Sequence, residues 1–131
     1  MRLLKDFKTM AFMLVVLVLV GTAAPVHAVN HPFDFTIYAG GGDNTGWERK
    51  SDNENIAYIT TTSETGNHGE VYGAVYDSKG QVTIDVPLRQ GHRAKSGYYQ
   101  AYSAGKYYQM VGQDSEYNLN GTAYRKGRWA P

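Results

Sequence analysis

Residues 70–86 read EVYGAVYDSKGQVTIDV. Val71 and Val75 share one face of the first half, and Val82, Ile84 and Val86 share one face of the second. Between them, Asp77 to Gly80 suits a type I turn closed by a glycine in the left-handed region, a common four-residue hairpin loop. Two runs of period-two alternation around such a turn predict an antiparallel hairpin. Pro87 has no backbone N–H to give, so it ends the second strand or marks a sheet edge.

The same signals recur on both sides of this hairpin. Phe33, Phe35 and Ile37 alternate with Asp34 and Thr36, the pattern of a half-buried strand. AGGGDNTG follows, and its three adjacent glycines predict a mobile loop. WERKSDNEN reads as a strand end and turn or as a long loop. IAYITTT, β-branched and aromatic, is another strand. Beyond the hairpin, GYYQAY and KYYQMV flank SAG, which predicts a second hairpin with Gly105 at positive φ. GTAYRKGRW closes the chain after the turn-rich GQDSEYNLNG. No apolar stripe of period 3.6 follows residue 29. The expected fold is all-β, a small antiparallel β-sandwich or barrel of six to seven strands.

An N-terminal signal peptide precedes this domain. Arg2, Lys5 and Lys8 form a positive start, Met10 to Val20 is an unbroken apolar run, and Val26-His27-Ala28 resembles an A-x-A cleavage site. A membrane-spanning helix needs about 20 apolar residues, and this run is shorter. Residues 1–28 are therefore expected to be a signal peptide cleaved after Ala28, and residues 29–131 a single secreted all-β domain. No apolar tail or sortase-type signal follows Trp129, so the product is expected to be extracellular, released or held on the surface non-covalently.

The whole chain carries 13 Lys/Arg and 12 Asp/Glu, and removing Arg2, Lys5, Lys8 and Asp6 leaves ten against eleven. No global basic field remains to argue for nucleic acid as a partner. There is no cysteine. Small exported domains commonly gain disulfides, so this one relies on its core. A cysteine-free exported domain suits a Gram-positive bacterium. It also excludes a lipidated N-terminus, a thiol nucleophile and a thiolate zinc site.

Catalytic signatures are absent. There is no G-x-S-x-G elbow, and GGGDNTG does not match G-x-G-x-x-G within a βαβ unit. Ser96, His92 and Asp85 are near in sequence, which is not triad geometry. Asp114, Glu116, Asn118 and Asn120 mimic the start of a calcium loop, but the sixth residue is Leu119 and the twelfth Arg125, where an EF-hand requires glycine and a bidentate carboxylate. His31, His68 and His92 have no zinc-site spacing. The expectation is a protein that is not an enzyme and has no cofactor or metal.

The chemistry concentrates between Pro87 and Met110. Arg89, His92, Arg93 and Lys95 precede Tyr98, Tyr99 and Tyr102, with Lys106, Tyr107 and Tyr108 beyond. Cations beside exposed aromatic rings can hold a sugar or an anionic polymer, the ring stacking and the cation pairing with phosphate. The competing reading is a polar loop entering a tyrosine-rich strand, since tyrosine covers a sheet face while its hydroxyl stays wet. Alternation puts Tyr98, Gln100 and Tyr102 on one face and Tyr99 and Ala101 on the other, so only part of the set can line one surface. The binding candidates are Arg89, His92, Arg93, Lys95, Tyr98 and Tyr102.

HPFDFTIY, VYGAVYDSKG, RQGHRAKSGYYQAYSAG and the closing YRKGRW occur in that order over most of residues 31–129. In these pieces the chain resembles an uncharacterised family of small secreted Gram-positive proteins, domain-of-unknown-function family 2712. The closing piece reads Y-x-x-G-x-W, carried by Tyr124, Gly127 and Trp129. The resemblance implies export and a β fold and transfers no catalytic residue. The expected function is an extracellular binding or interaction module for a cell-wall polymer or surface glycan. The alternative is a bacteriocin-like secreted toxin, since lactococcin-type bacteriocins are also small, exported and cysteine-free.

Overall fold

The structure, a computed structural model, describes residues 28–101, 104–114, 116–117 and 119–131. The signal-peptide expectation, up to residue 27, lies outside the described residues. Six strands of five residues or more form the frame: β1 (His31–Ile37), β4 (Ile56–Gly66), β5 (Tyr72–Asp77), β8 (Arg93–Gly97), β9 (Tyr107–Gln113) and β10 (Ala123–Ala130). Four shorter ones, β2 (Gly42–Asn44), β3 (Glu48–Arg49), β6 (Gly80–Gln81) and β7 (Val86–Pro87), fill the edges. No helix occurs among the described residues. The fold is all-β, two antiparallel sheets packed together. Sheet A runs β1-β10-β4-β8, and sheet B runs β2-β9-β5-β6, with β3 on β9 and β7 on β5.

The alternating sequence builds the space between them. Phe33, Phe35 and Ile37 of β1, Ala57 and Ile59 of β4, and Ala123 and Trp129 of β10 point inward from sheet A. Val75 of β5 and Tyr108 and Met110 of β9 meet them from sheet B, with Val71 and Leu88 alongside. Burial of such side chains is worth roughly 1.5–3 kcal/mol each and is the main term holding the sheets together. Gly112 faces the Phe35 ring, where an added Cβ would stand 2.6 Å from a ring carbon.

The central hairpin is present, with one departure. Asp77 pairs with Gly80, and the Asp77 carboxylate accepts from Lys79 N (2.8 Å) and Gly80 N (3.1 Å), fixing the turn. The second half does not stay in sheet B. Val82 and Val86 are buried as the alternation requires, but Ile84 is exposed and Thr83 fully buried. The chain bridges the sheets here. Thr83 pairs with Tyr98, Ile84 N donates to Gly97 O (3.0 Å), and Tyr99 N donates to Val82 O (3.0 Å). The Thr83 hydroxyl oxygen accepts from Val75 N (2.9 Å) and lies 2.8 Å from Ser96 Oγ. A polar residue therefore points inward because both sheets supply it with partners, at the cost of the expected period.

The second predicted hairpin does not form. Gly105 has positive φ, 91°, as expected. Residues 97–101, however, do not pair with KYYQMV. β8 ends at Gly97 and belongs to sheet A, whereas β9 lies in sheet B between β5 and the β2 and β3 edges. With both sides of β9 taken, residues 98–101 have no ladder to join. The glycine-rich segment is not all loop. Gly42 to Asn44 pair with Val111 to Gln113, and Asp43 accepts from Thr36 N (3.0 Å), tying β2 to β1.

Candidate functional site

The strand arrangement separates the six binding candidates. Arg89 sits against sheet B, where its guanidinium pairs with the Glu70 carboxylate. The Tyr72 hydroxyl also donates to Glu70 (2.7 Å). That bond first, and then Arg89, hold the Glu70 carboxyl below the usual carboxylate range, and the same bond raises the Tyr72 hydroxyl. His92 is exposed in the turn before β8, its N–H donating to Arg89 O (3.1 Å) and its carbonyl accepting from Thr61 N (3.1 Å).

Tyr98 is not a surface contact. It is 6% exposed, its ring lies edge-on to Tyr108 with centroids 5.8 Å apart, and the Lys50 ammonium stands 4.9 Å from the ring centre. Lys50 is itself fully buried, donating to Asp52 Oδ1 (2.8 Å) and to the Pro131 carbonyl oxygen (3.0 Å). A ring that packs on an internal cation cannot also stack on an outside ligand. Tyr102 lies outside the described residues.

Arg93 and Lys95 remain together, both exposed on β8. In an antiparallel sheet, residues directly opposite share a face. Arg93 opposes Thr60, and Thr60 opposes Arg128, while Lys95 opposes Tyr58. The outer face of sheet A thus carries Arg93, Lys95, Lys126 and Arg128, all exposed. Two residues along a strand span about 7 Å, and two strand spacings about 10 Å. The cations therefore form a diagonal row, Lys95 to Arg93 to Arg128 to Lys126, whose neighbouring steps of about 7–10 Å are close to the Debye length, about 8 Å at physiological salt, so neighbours act together on one ligand.

Tyr58 lies at one end of this row, opposite Lys95 on one side and Ala130 on the other. The Arg93 guanidinium stacks over its ring at 4.3 Å from the centroid, which aims the cation and rigidifies it. Beside the pair is a hollow of about 210 Å³ lined by Ala28, Asn30, Glu54, Tyr58, Arg93 and Ala130. Two carboxylates adjoin the row: Glu54 in the hollow, and Asp34, 3.7 Å from Lys126 with both side chains of that pair more than 60% exposed. An exposed pair of this kind is worth about 0–1 kcal/mol and leaves Lys126 available to a stronger anion. The arrangement suits several phosphate or carboxylate groups at once, with Tyr58 giving a stacking surface.

Sequence reasoning missed Tyr58, Lys126 and Arg128. Alternation in YRKGR puts Lys126 and Arg128 on one side, but their meeting with Arg93 depends on β10 pairing with β4 and β4 with β8. The calcium-like spacing has a structural use: Asp114 is buried, its carboxylate accepting from Gly40 N (2.9 Å) and Leu119 N (3.1 Å). No group of three or more acidic or histidine side chains is placed to hold a metal among the described residues. Nor is any helix among them long and apolar enough to cross a membrane. Comparison with family models, curated proteins and solved structures finds no match to this chain.

Proposed function

We propose that the chain is an exported, non-enzymatic binding protein that holds an anionic polymer of the cell envelope on the outer face of sheet A. The observation that carries this reading is the diagonal row of Lys95, Arg93, Arg128 and Lys126 across one sheet face, with Arg93 stacked on Tyr58 at 4.3 Å. The domain as a whole is near charge balance, so a one-sided cationic face is a local feature rather than a by-product of composition. The signal-like N-terminus and the resemblance to small secreted proteins support an extracellular location for such a face. A polyol phosphate polymer of a Gram-positive wall supplies regularly spaced anions, and Arg93 and Arg128 supply the forked donors that phosphate favours.

Each cation near an anionic surface contributes about 1 kcal/mol. Reversing two of them, Arg93→Glu with Lys95→Glu, removes that contribution and adds repulsion. The expected result is loss of co-sedimentation with Gram-positive cell walls by at least about thirtyfold in affinity, with a melting temperature within about 8 °C of wild type. Both side chains are exposed, and the fold loses only the Arg93–Tyr58 stack, about 0.5–1 kcal/mol. Unchanged wall binding by the folded double variant refutes the assignment of this face.

A further inference from the structure

A second surface has different chemistry. At the end of sheet B, a hollow of about 460 Å³ is lined by Trp47, Asp77, Ser78, Lys79, Lys106 and Tyr107, with Tyr108 at its base. A neighbouring hollow of about 410 Å³ shares Asp77, Lys79 and Lys106 and continues to Gln81 and Gln100. The shared residues make one groove with an aromatic end and an amide end.

We propose that this groove is a saccharide site for a short run of uncharged pyranose rings, separate from the cationic face. Trp47 is 47% exposed and Tyr107 60% exposed, although Trp129 and Tyr108 are fully buried in the same domain. Two large rings left open in one hollow, with polar groups around them, are the features of a ligand surface. A pyranose presents a C–H face that packs on an aromatic ring, and a rim of hydroxyls that need paired donors and acceptors. The groove supplies both. Asp77 offers an acceptor, Lys79 and Lys106 offer donors, Ser78 offers either, and Gln100 offers an amide with both, whereas the Gln81 amide is held by Thr83 O, Asp85, Tyr99 and Tyr76.

The parts are held before any ligand arrives. Thr45 is anchored to β9 through Thr45 N to Met110 O and Met110 N to Thr45 Oγ1, both 2.9 Å, two residues before Trp47. Tyr107 begins β9 and pairs with Arg49 of β3, and Asp77 with Lys79 sits in the fixed turn between β5 and β6. Rigid aromatic anchors lower the entropy lost on binding. The Asp77 carboxylate offsets one of the two lysines, so this groove is less cationic than the outer face of sheet A.

The test uses Trp47 as its own reporter. Trp129 is buried, so an aqueous quencher such as iodide reads the exposed Trp47. Titration of the protein with maltohexaose, cellohexaose and chitohexaose is expected to protect Trp47 from iodide with at least one of them. Tyr107→Ala is expected to weaken that binding by about tenfold or more. Trp47→Ala is expected to abolish it by calorimetry, while leaving polyphosphate binding unchanged. Arg93→Glu is expected to leave saccharide binding unchanged. Absence of protection with all three oligosaccharides at millimolar concentration overturns the proposal, as does unaltered binding by the folded Trp47→Ala variant.

Discussion

Replacing Arg125 by methionine is expected to cost about 3–5 kcal/mol, the range for leaving a buried charge network without one partner. Arg125 is fully buried on the inner side of β10, where alternation would place an apolar residue. Its guanidinium is a hub. Nε donates to Leu88 O (3.1 Å), Nη1 to Tyr124 O (3.1 Å) and Thr65 O (3.4 Å), and Nη2 to Asn67 O (3.1 Å) and Gly69 O (3.0 Å). Nη2 also lies 3.1 Å from Glu64 Oε1. The group thus clamps the connection between β4 and β5 and the segment after β7 onto the last strand. Burial pulls its pKa below the ordinary arginine value, and the Glu64 carboxylate opposes that pull. Arginine remains charged at neutral pH all the same.

Methionine fills similar space but leaves these carbonyls and Glu64 without their donor. Lysine fares little better, because a single ammonium cannot reach the spread of acceptors that a planar fork reaches. For a domain of this size, 1 kcal/mol moves the melting temperature by about 4–8 °C. The expected loss is therefore at least about 12 °C, enough to unfold a marginal domain at growth temperature. Adding Glu64→Gln to Arg125→Met should recover part of the loss, since the stranded charge is then gone. A melting temperature within a few degrees of wild type for Arg125→Met contradicts the clamp.

The second large effect is expected at Gly127. β10 and β4 change register between Lys126 and Gly127, and the β10 backbone presses against β4 there. A Cβ at Gly127 would sit well inside contact distance of the Thr60 carbonyl oxygen, and 2.8 and 2.9 Å from the Phe33 ring. Phe33 is a core ring, and Thr60 O belongs to a strand paired on both sides, so neither can move aside cheaply. Overpacking costs about 1–3 kcal/mol in general, and Gly127→Ala belongs at the upper end, near 3 kcal/mol. Urea titration should show a lower midpoint with an unchanged slope. An unchanged midpoint means that the register shift relaxes around a methyl group, against the packing described here.

These two residues show how much was legible. In YRKGRW, the inward Trp129 follows from alternation with Ala123. Gly127 stands in the closing motif for a packing reason that appears only once β4 lies beside β10. Arg125 looks like part of a basic run, and nothing local marks it as internal, because its acceptors are carbonyls up to 60 residues away in sequence. Tyr98 fails for the mirror reason. It looks like a surface tyrosine, and an internal lysine, Lys50, draws it inward. Local signals placed β1, β4, β5 and β10 and the turn at Asp77. The hydrogen-bonding partners of β9 are non-local, which is why KYYQMV went to sheet B and residues 98–101 gained only the isolated Tyr98–Thr83 bridge. Of the six candidates, Arg93 and Lys95 stay side by side because they neighbour each other on one strand. Tyr58, Lys126 and Arg128 join them only through the sheet.

The most direct test of the central claim is the salt dependence of binding to a soluble polyanion, such as poly(glycerol phosphate). Four cations acting together on a flexible anionic chain release counterions in proportion to their number. The predicted logarithmic slope of affinity against salt is about −3. It should fall to near zero when Arg93, Lys95, Lys126 and Arg128 are all changed to glutamine. Absence of binding at low salt, or binding whose affinity ignores salt, would contradict a cationic sheet face as the working surface of this protein.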